Sequence, residues 1–158
     1  MQLLLLRHAD AEPSAATDDV RALSDKGRQQ AKRVARFCKE RGLQPDLILT
    51  SPFLRAEETA RIVGDELKSE RVLSAFLAAG MIPSAALEEL RACQRLDCVM
   101  LVGHEPDLSA LAGTLLGAGN HGALRLRKAT LVGLQLESLT PGGAQLEFLI
   151  PVKMMEKE

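Results

Sequence analysis

Leu3-Leu4-Leu5-Leu6-Arg7-His8 sets the architecture expected of this chain. Four consecutive apolar residues leave no wet face and are too few for a helix. They predict a short strand buried on both sides, as in parallel sheets. The run stops at a cation and an imidazole, and the same event recurs twice. Pro45-Asp46-Leu47-Ile48-Leu49-Thr50 reads as a second buried strand, broken by Ser51-Pro52, with Arg55 one turn into the next helix. Cys98-Val99-Met100-Leu101-Val102 reads as a third, stopping at Gly103-His104. Ligands of open α/β sheets bind beyond the carboxyl ends of the strands. If these three strands are parallel neighbours, Arg7, His8, Ser51, Arg55 and His104 converge on one pocket.

The segments between the strands read as helices. Ser24 precedes Asp25 and opens a helix with Ala31, Val34, Ala35 and Cys38 on one face. Arg41-Gly42 ends it, with Gly42 suited to a left-handed cap. A second helix runs from Phe53 to about Leu67, with Ala56, Ala60, Ile62, Val63 and Leu67 inward. Ser84–Ala92 is expected as a third, capped by Ser84, and Asp107–Leu116 as a fourth. Ala9–Asp19 contains Pro13 and reads as a loop, and Val72-Leu73 as a short edge strand. Thr130–Glu137 and Ala144–Ile150, split by Thr140-Pro141-Gly142-Gly143, predict an antiparallel pair. Strand–helix alternation argues a layered α/β domain over 1–158, with a frayed tail at Lys153–Glu158.

Composition narrows the function. At 158 residues a real core forms without disulfides. The net charge of −1 gives no general pull toward nucleic acid or membrane, and four Phe with no Trp or Tyr supply few stacking platforms. Cys38, Cys93 and Cys98 are odd in number and lack a C-x-x-C pair, which argues against a disulfide framework and a zinc site. They read as reduced thiols. The opening Met1–Leu6 lacks a basic n-region and is too short for a signal peptide, so the expected compartment is the cytoplasm. No run approaches the ~18 apolar residues of a membrane span. The basic series Lys26, Arg28, Lys32, Arg33, Arg36, Lys39 and Arg41 reads as a solvated helix face, with guidance of an acidic protein partner as a weaker reading. Asp10 and Glu12 lie near His8 in sequence but lack further ligands at metal spacing. His121, in a glycine-rich loop, is expected to be exposed.

Leu6-Arg7-His8, Ser51-Pro52-Phe53-Leu54-Arg55-Ala56-Glu57-Glu58-Thr59-Ala60 and Val102-Gly103-His104-Glu105-Pro106 together resemble the histidine phosphatase superfamily, also called phosphoglycerate-mutase-like. With the segment Asp18–Gly27 and the short length, the chain looks most like the compact SixA-type phosphohistidine phosphatases. The resemblance implies a three-layer α/β/α sandwich with a mostly parallel sheet and antiparallel C-terminal strands. It implies that His8 becomes phosphohistidine, that Arg7, Arg55 and His104 hold the phosphoryl oxygens, and that Arg21 and Asp18 complete the rim. It implies no metal and no organic cofactor. The expected partners are a phosphohistidine-bearing protein, such as a phosphotransfer domain, and phosphate ion.

Two departures bear on the substrate. Ala9 replaces the glycine that often follows Arg-His in the family, a small change. Larger members use an acid from an insertion after the second helix, whereas Leu73–Pro83 here is short, apolar and without an acid. A phosphoimidazole can leave as neutral imidazole after protonation near its ordinary pKa of about 6.5, and needs a general acid less than an alkoxide does. The expected reaction is therefore hydrolysis of protein phosphohistidine, with Asp18 and Glu105 as substitute donors. A small-molecule phosphomonoesterase is the alternative, and a non-catalytic phosphoprotein-binding module a third reading.

Overall fold

The computed structural model describes residues 1–118 and 123–157. His121 lies outside the described residues. Six strands form one sheet: β1 (Gln2–Arg7), β2 (Leu47–Thr50), β3 (Glu70–Leu73), β4 (Cys98–Gly103), β5 (Leu131–Leu136) and β6 (Ala144–Ile150), in the order β3-β2-β4-β1-β5-β6. β1, β2, β3 and β4 are mutually parallel, while β5 runs antiparallel to β1 and β6 antiparallel to β5. This is the mostly parallel sheet with antiparallel C-terminal strands expected from the sequence.

Four helices cover the sheet: α1 (Asp25–Glu40), α2 (Leu54–Leu67), α3 (Pro83–Leu90) and α4 (Asp107–Leu116). β1 explains the layering. Leu3, Leu4, Leu5 and Leu6 are all 0% exposed. Side chains alternate along a strand, so Leu4 and Leu6 join Ala31, Val34, Ala60 and Val63 of α1 and α2. Leu3 and Leu5 join Leu87, Leu90, Leu108 and Leu111 of α3 and α4. Each buried leucine contributes about 2 kcal/mol.

The helix ends follow local chemistry. Ser24 Oγ accepts the Gly27 N–H at 3.0 Å and caps α1. Past α1, Leu43 N–H bonds Cys38 O and Gly42 N–H bonds Lys39 O, with Gly42 at φ +69°. That is a Schellman ending, with glycine at the left-handed position as expected. Ser84 does not cap α3. Pro83 occupies the first helical position, where its missing N–H needs no partner, and Ser84 falls inside the helix.

The expected frayed tail is also corrected. Residues Val152–Met154 form one 3-10 turn, with Val152 and Met155 buried in the cluster under α1. Arg33 donates to the Met155 carbonyl and fixes it. Two apolar side chains three apart give this tail a buried face. No helix among the described residues is long and apolar enough to cross a membrane.

Candidate active site

β4 lies between β1 and β2, with Arg7 opposite Gly103 and Thr50 opposite Val102. The carboxyl ends of the three strands are therefore adjacent, and Arg7-His8, Thr50-Ser51 and His104 share one edge of the sheet. α2 begins there with Arg55 in its first turn, and α4 with Asp107.

His8 is 5% exposed and held at both ring nitrogens. Nδ1–H donates to the Ala9 carbonyl at 2.8 Å, and Arg55 Nε–H donates to Nε2 at 3.3 Å. Only one state satisfies both bonds: the proton on Nδ1 and the lone pair on Nε2. Burial drives the His8 pKa down to about 3; His104, Arg55 and Arg7 add to this, and the Ala9 carbonyl opposes it. The imidazole is thus a neutral base with a directed nitrogen.

His104 is 3% exposed, its ring centroid 5.3 Å from that of His8. Its Nε2 lies 2.8 Å from Ser51 Oγ, which already accepts the Phe53 N–H at 3.1 Å. The buried Ser51 hydroxyl has no other acceptor among the described residues, so its proton points at Nε2, which leaves the His104 proton on Nδ1. Burial, and then the Arg55 charge, lower the His104 pKa to about 4, against pulls from Asp107 and Asp18. His104 Nδ1 and Arg7 Nε are both buried without a partner among the described residues. Two unmatched N–H donors beside a basic nitrogen suit a tetrahedral oxyanion, which accepts hydrogen bonds in several directions.

Arg55 is buried and bonds Asp18 rather than its helix neighbours Glu57 and Glu58. Its Nη1 bonds the Asp18 carbonyl at 2.9 Å, and Nη2 the Asp18 carboxylate at 3.2 Å. Arg21 Nε stands 3.3 Å from the other Asp18 oxygen, as charge proximity without an aligned hydrogen bond. Asp18 thus links Arg55 and Arg21. Ser51 is 0% exposed, and its hydroxyl is shared between His104 Nε2 and the Phe53 N–H, which orients the imidazole.

Arg7 Nη1 donates to the Leu126 carbonyl at 2.9 Å, and burial pulls its pKa down while Glu105 opposes. Both oxygens of Glu105 accept from Ser109, its N–H and its hydroxyl. Asp10 pairs with Lys128 at 2.8 Å and accepts the Ser24 hydroxyl at 2.6 Å. Among the described residues no group of three or more His, Cys, Asp or Glu is placed to hold a metal.

Two supports escaped the sequence reading. Thr59 Oγ1 accepts the Ala9 N–H at 3.1 Å and donates to the Arg55 carbonyl at 2.7 Å, joining the nucleophile's loop to α2. Asp107 Oδ2 accepts from Gly80 and Met81, folding the acid-free 74–82 loop onto α4. Thr59 stands one turn after Arg55 on the buried face, a signal the sequence did carry.

The family model of the histidine phosphatase superfamily (branch 1) matches residues 3–78. The chain is 33% identical over 144 residues to phosphohistidine phosphatase SixA of Escherichia coli K12, covering 90% of this chain and 76% of that protein. Its fold superposes on the protein histidine phosphatase SixA complexed with tungstate with a TM-score of 0.89 at 25% identity, covering 97% and 98% of the two chains. The α-ribazole phosphatase of Shigella flexneri shares the fold alone, with a TM-score of 0.80 at 16% identity over 96% and 97%. Sequence likeness along nearly the whole chain and the convergence of Arg7, His8, Arg55 and His104 lead to one assignment: the chain belongs to the histidine phosphatase superfamily.

Proposed function

We propose that this hydrolase removes the phosphoryl group from phosphohistidine on a protein, through two in-line displacements at His8. The His8 Nε2 lone pair attacks phosphorus, and the substrate's P–N bond breaks. The departing imidazole takes its proton from solvent. Water then attacks phosphorus, the P–Nε2 bond breaks, and inorganic phosphate leaves with the water's second proton shared among its oxygens. Arg7, Arg55 and His104 Nδ1–H hold the three equatorial oxygens as charge spreads over them. Arg55 shifts its Nε–H from His8 to phosphate as the nitrogen is consumed. The phosphate displaces Asp18 as the acceptor for Arg55, while Arg21 stays beside it.

The carrying observation is the state of His8: a neutral imidazole with Nε2 free of a proton and facing a guanidinium. The leaving group is read from the acids around it. Leu73–Pro83 carries none. Glu105 is held by Ser109, and Asp18 keeps Arg21 beside it when Arg55 turns to phosphate, so neither presents an unpaired carboxyl to an alkoxide. The likeness to the E. coli enzyme supports the same substrate class. Three buried, unpaired cysteines accord with a reducing, cytoplasmic setting.

The test compares a histidine peptide phosphorylated with phosphoramidate and an aryl phosphate. Release from the peptide, with acid-labile label on His8 and no turnover in His8→Ala, is expected. Release from the aryl ester alone would overturn the substrate assignment.

A further inference from the structure

A wide cleft lies beside the phosphate site. It adjoins that site through Arg7 and Glu105 and runs for about 1140 Å³ along the carboxyl edge of the sheet, between the N-terminal half of α1, residues 124–128 and the tail. Arg7 forms one end. Lys26 and Arg33 enter from α1, Arg125, Arg127 and Lys128 from the segment before β5, and Lys153 from the tail. Only Asp10 and Glu105 oppose these seven cations. The groove thus carries +5, which leaves −6 for the rest of a chain whose total is −1. Both acids are engaged, Asp10 with Lys128 and Glu105 with Ser109. Arg125, Arg127 and Lys153 are exposed and have no ion pair among the described residues. The floor is apolar, with Leu124, Leu126 and Val152.

We infer that this groove docks an acidic, partly apolar segment of the phosphorylated protein, lying beside its phosphohistidine while that residue meets His8. The inference rests on the phosphohistidine reading above. Charge complementarity selects the occupant: a like-signed cluster in a nearly neutral protein recruits the opposite sign. The volume exceeds the roughly 300–1,000 Å³ of small-ligand pockets, and suits a peptide segment. None of the described residues lining the groove is aromatic, so they offer no stacking surface of the kind by which single-stranded nucleic acid is held.

The experiment uses two helical peptides of equal length, each with one histidine phosphorylated by phosphoramidate. One has Glu and Leu around the histidine, the other Gln and Leu. Both are given to the wild type and to the triple variant R125E/R127E/K153E, whose fold is checked by circular dichroism. Phosphoramidate itself serves as the small substrate. In wild type, kcat/KM should favour the acidic peptide about tenfold at low salt and lose that preference at high salt, as screened charges require. The triple variant should lose the preference and hydrolyse phosphoramidate at the wild-type rate. Equal kcat/KM for both peptides in wild type would overturn docking and leave the phosphohistidine reading intact. Hydrolysis of an aryl phosphate but of neither peptide would overturn both. A single-stranded oligonucleotide that competes where the unphosphorylated acidic peptide does not would reassign the groove to nucleic acid.

Discussion

Lowering the pH from 7 to about 5 should destabilise this protein through two histidines that do not titrate in the folded state. His8 folds with a pKa of about 3 and His104 with one of about 4, both depressed chiefly by burial. Unfolded, each returns to about 6.5. Between these values the unfolded chain binds more protons, so stability rises with pH across this window and falls as acid is added. At pH 5 each unfolded histidine is almost fully protonated and each folded one almost fully neutral. The loss is then about 2 kcal/mol per histidine, and about 4 for both. It depends little on whether the folded pKa is 3 or 4, because both lie well below 5. Against a typical domain stability of about 5–15 kcal/mol this is a large fraction. Urea unfolding at a series of pH values measures it. Wild type should take up nearly two protons per molecule on unfolding near pH 5, and His8→Gln or His104→Gln nearly one. Asp10, whose pKa is held down by Lys128, releases its stabilisation only in stronger acid. Parallel stability curves for wild type and His8→Gln between pH 7 and 5 would refute a neutral His8. So would His8 ring resonances that titrate near 6.5.

Other substitutions probe the parts around it. Arg55→Lys keeps the charge but loses the Nε–H aimed at His8 and the fork on the phosphoryl oxygens, so kcat should fall by roughly 10²–10³ in steady-state assays. Ser51→Ala leaves His104 Nε2 and the Phe53 N–H without partners. It should cost about 1–3 kcal/mol in urea unfolding and lower kcat more than it raises KM. Gly27→Ala places a methyl 1.9 Å from the Asp10 carbonyl oxygen, so α1 must retreat from the loop that follows His8. Thermal unfolding should show a loss of at least about 2 kcal/mol, roughly the cost of overpacking a core.

The fold was legible because its decisive signals are local. Unbroken apolar runs mark β1 and β4, and Ser24 and Gly42 carry the chemistry of the ends of α1. α3 starts one residue earlier than the sequence suggests because Pro83 suits the first helical position, which puts Ser84 inside the helix. The order of the tail is hidden from the sequence because Val152 and Met155 are buried in a cluster that includes α1 residues more than a hundred positions away. The same distance hides half of the site's organisation. Arg7 leans on Leu126, 119 residues later, and no pattern in the sequence announces that bond. The basic series of α1 reads as one solvated face, yet the fold divides it. Lys26 and Arg33 enter the groove, while Lys39 pairs with Glu66 and Arg41 lies over Phe37.

The place of β1 in the sheet has a consequence for how the chain is made. It precedes the other five strands of the sheet in sequence, yet its partners, β4 and β5, begin only at Cys98 and Leu131. Until then the emerged chain can zip only β2 to β3, and the four leucines of β1 have no edges to join. Such long sequence separations slow folding and leave apolar surface uncovered while synthesis proceeds. His8 therefore precedes Arg55 and His104 in synthesis and meets them only when the strands that follow have closed around it.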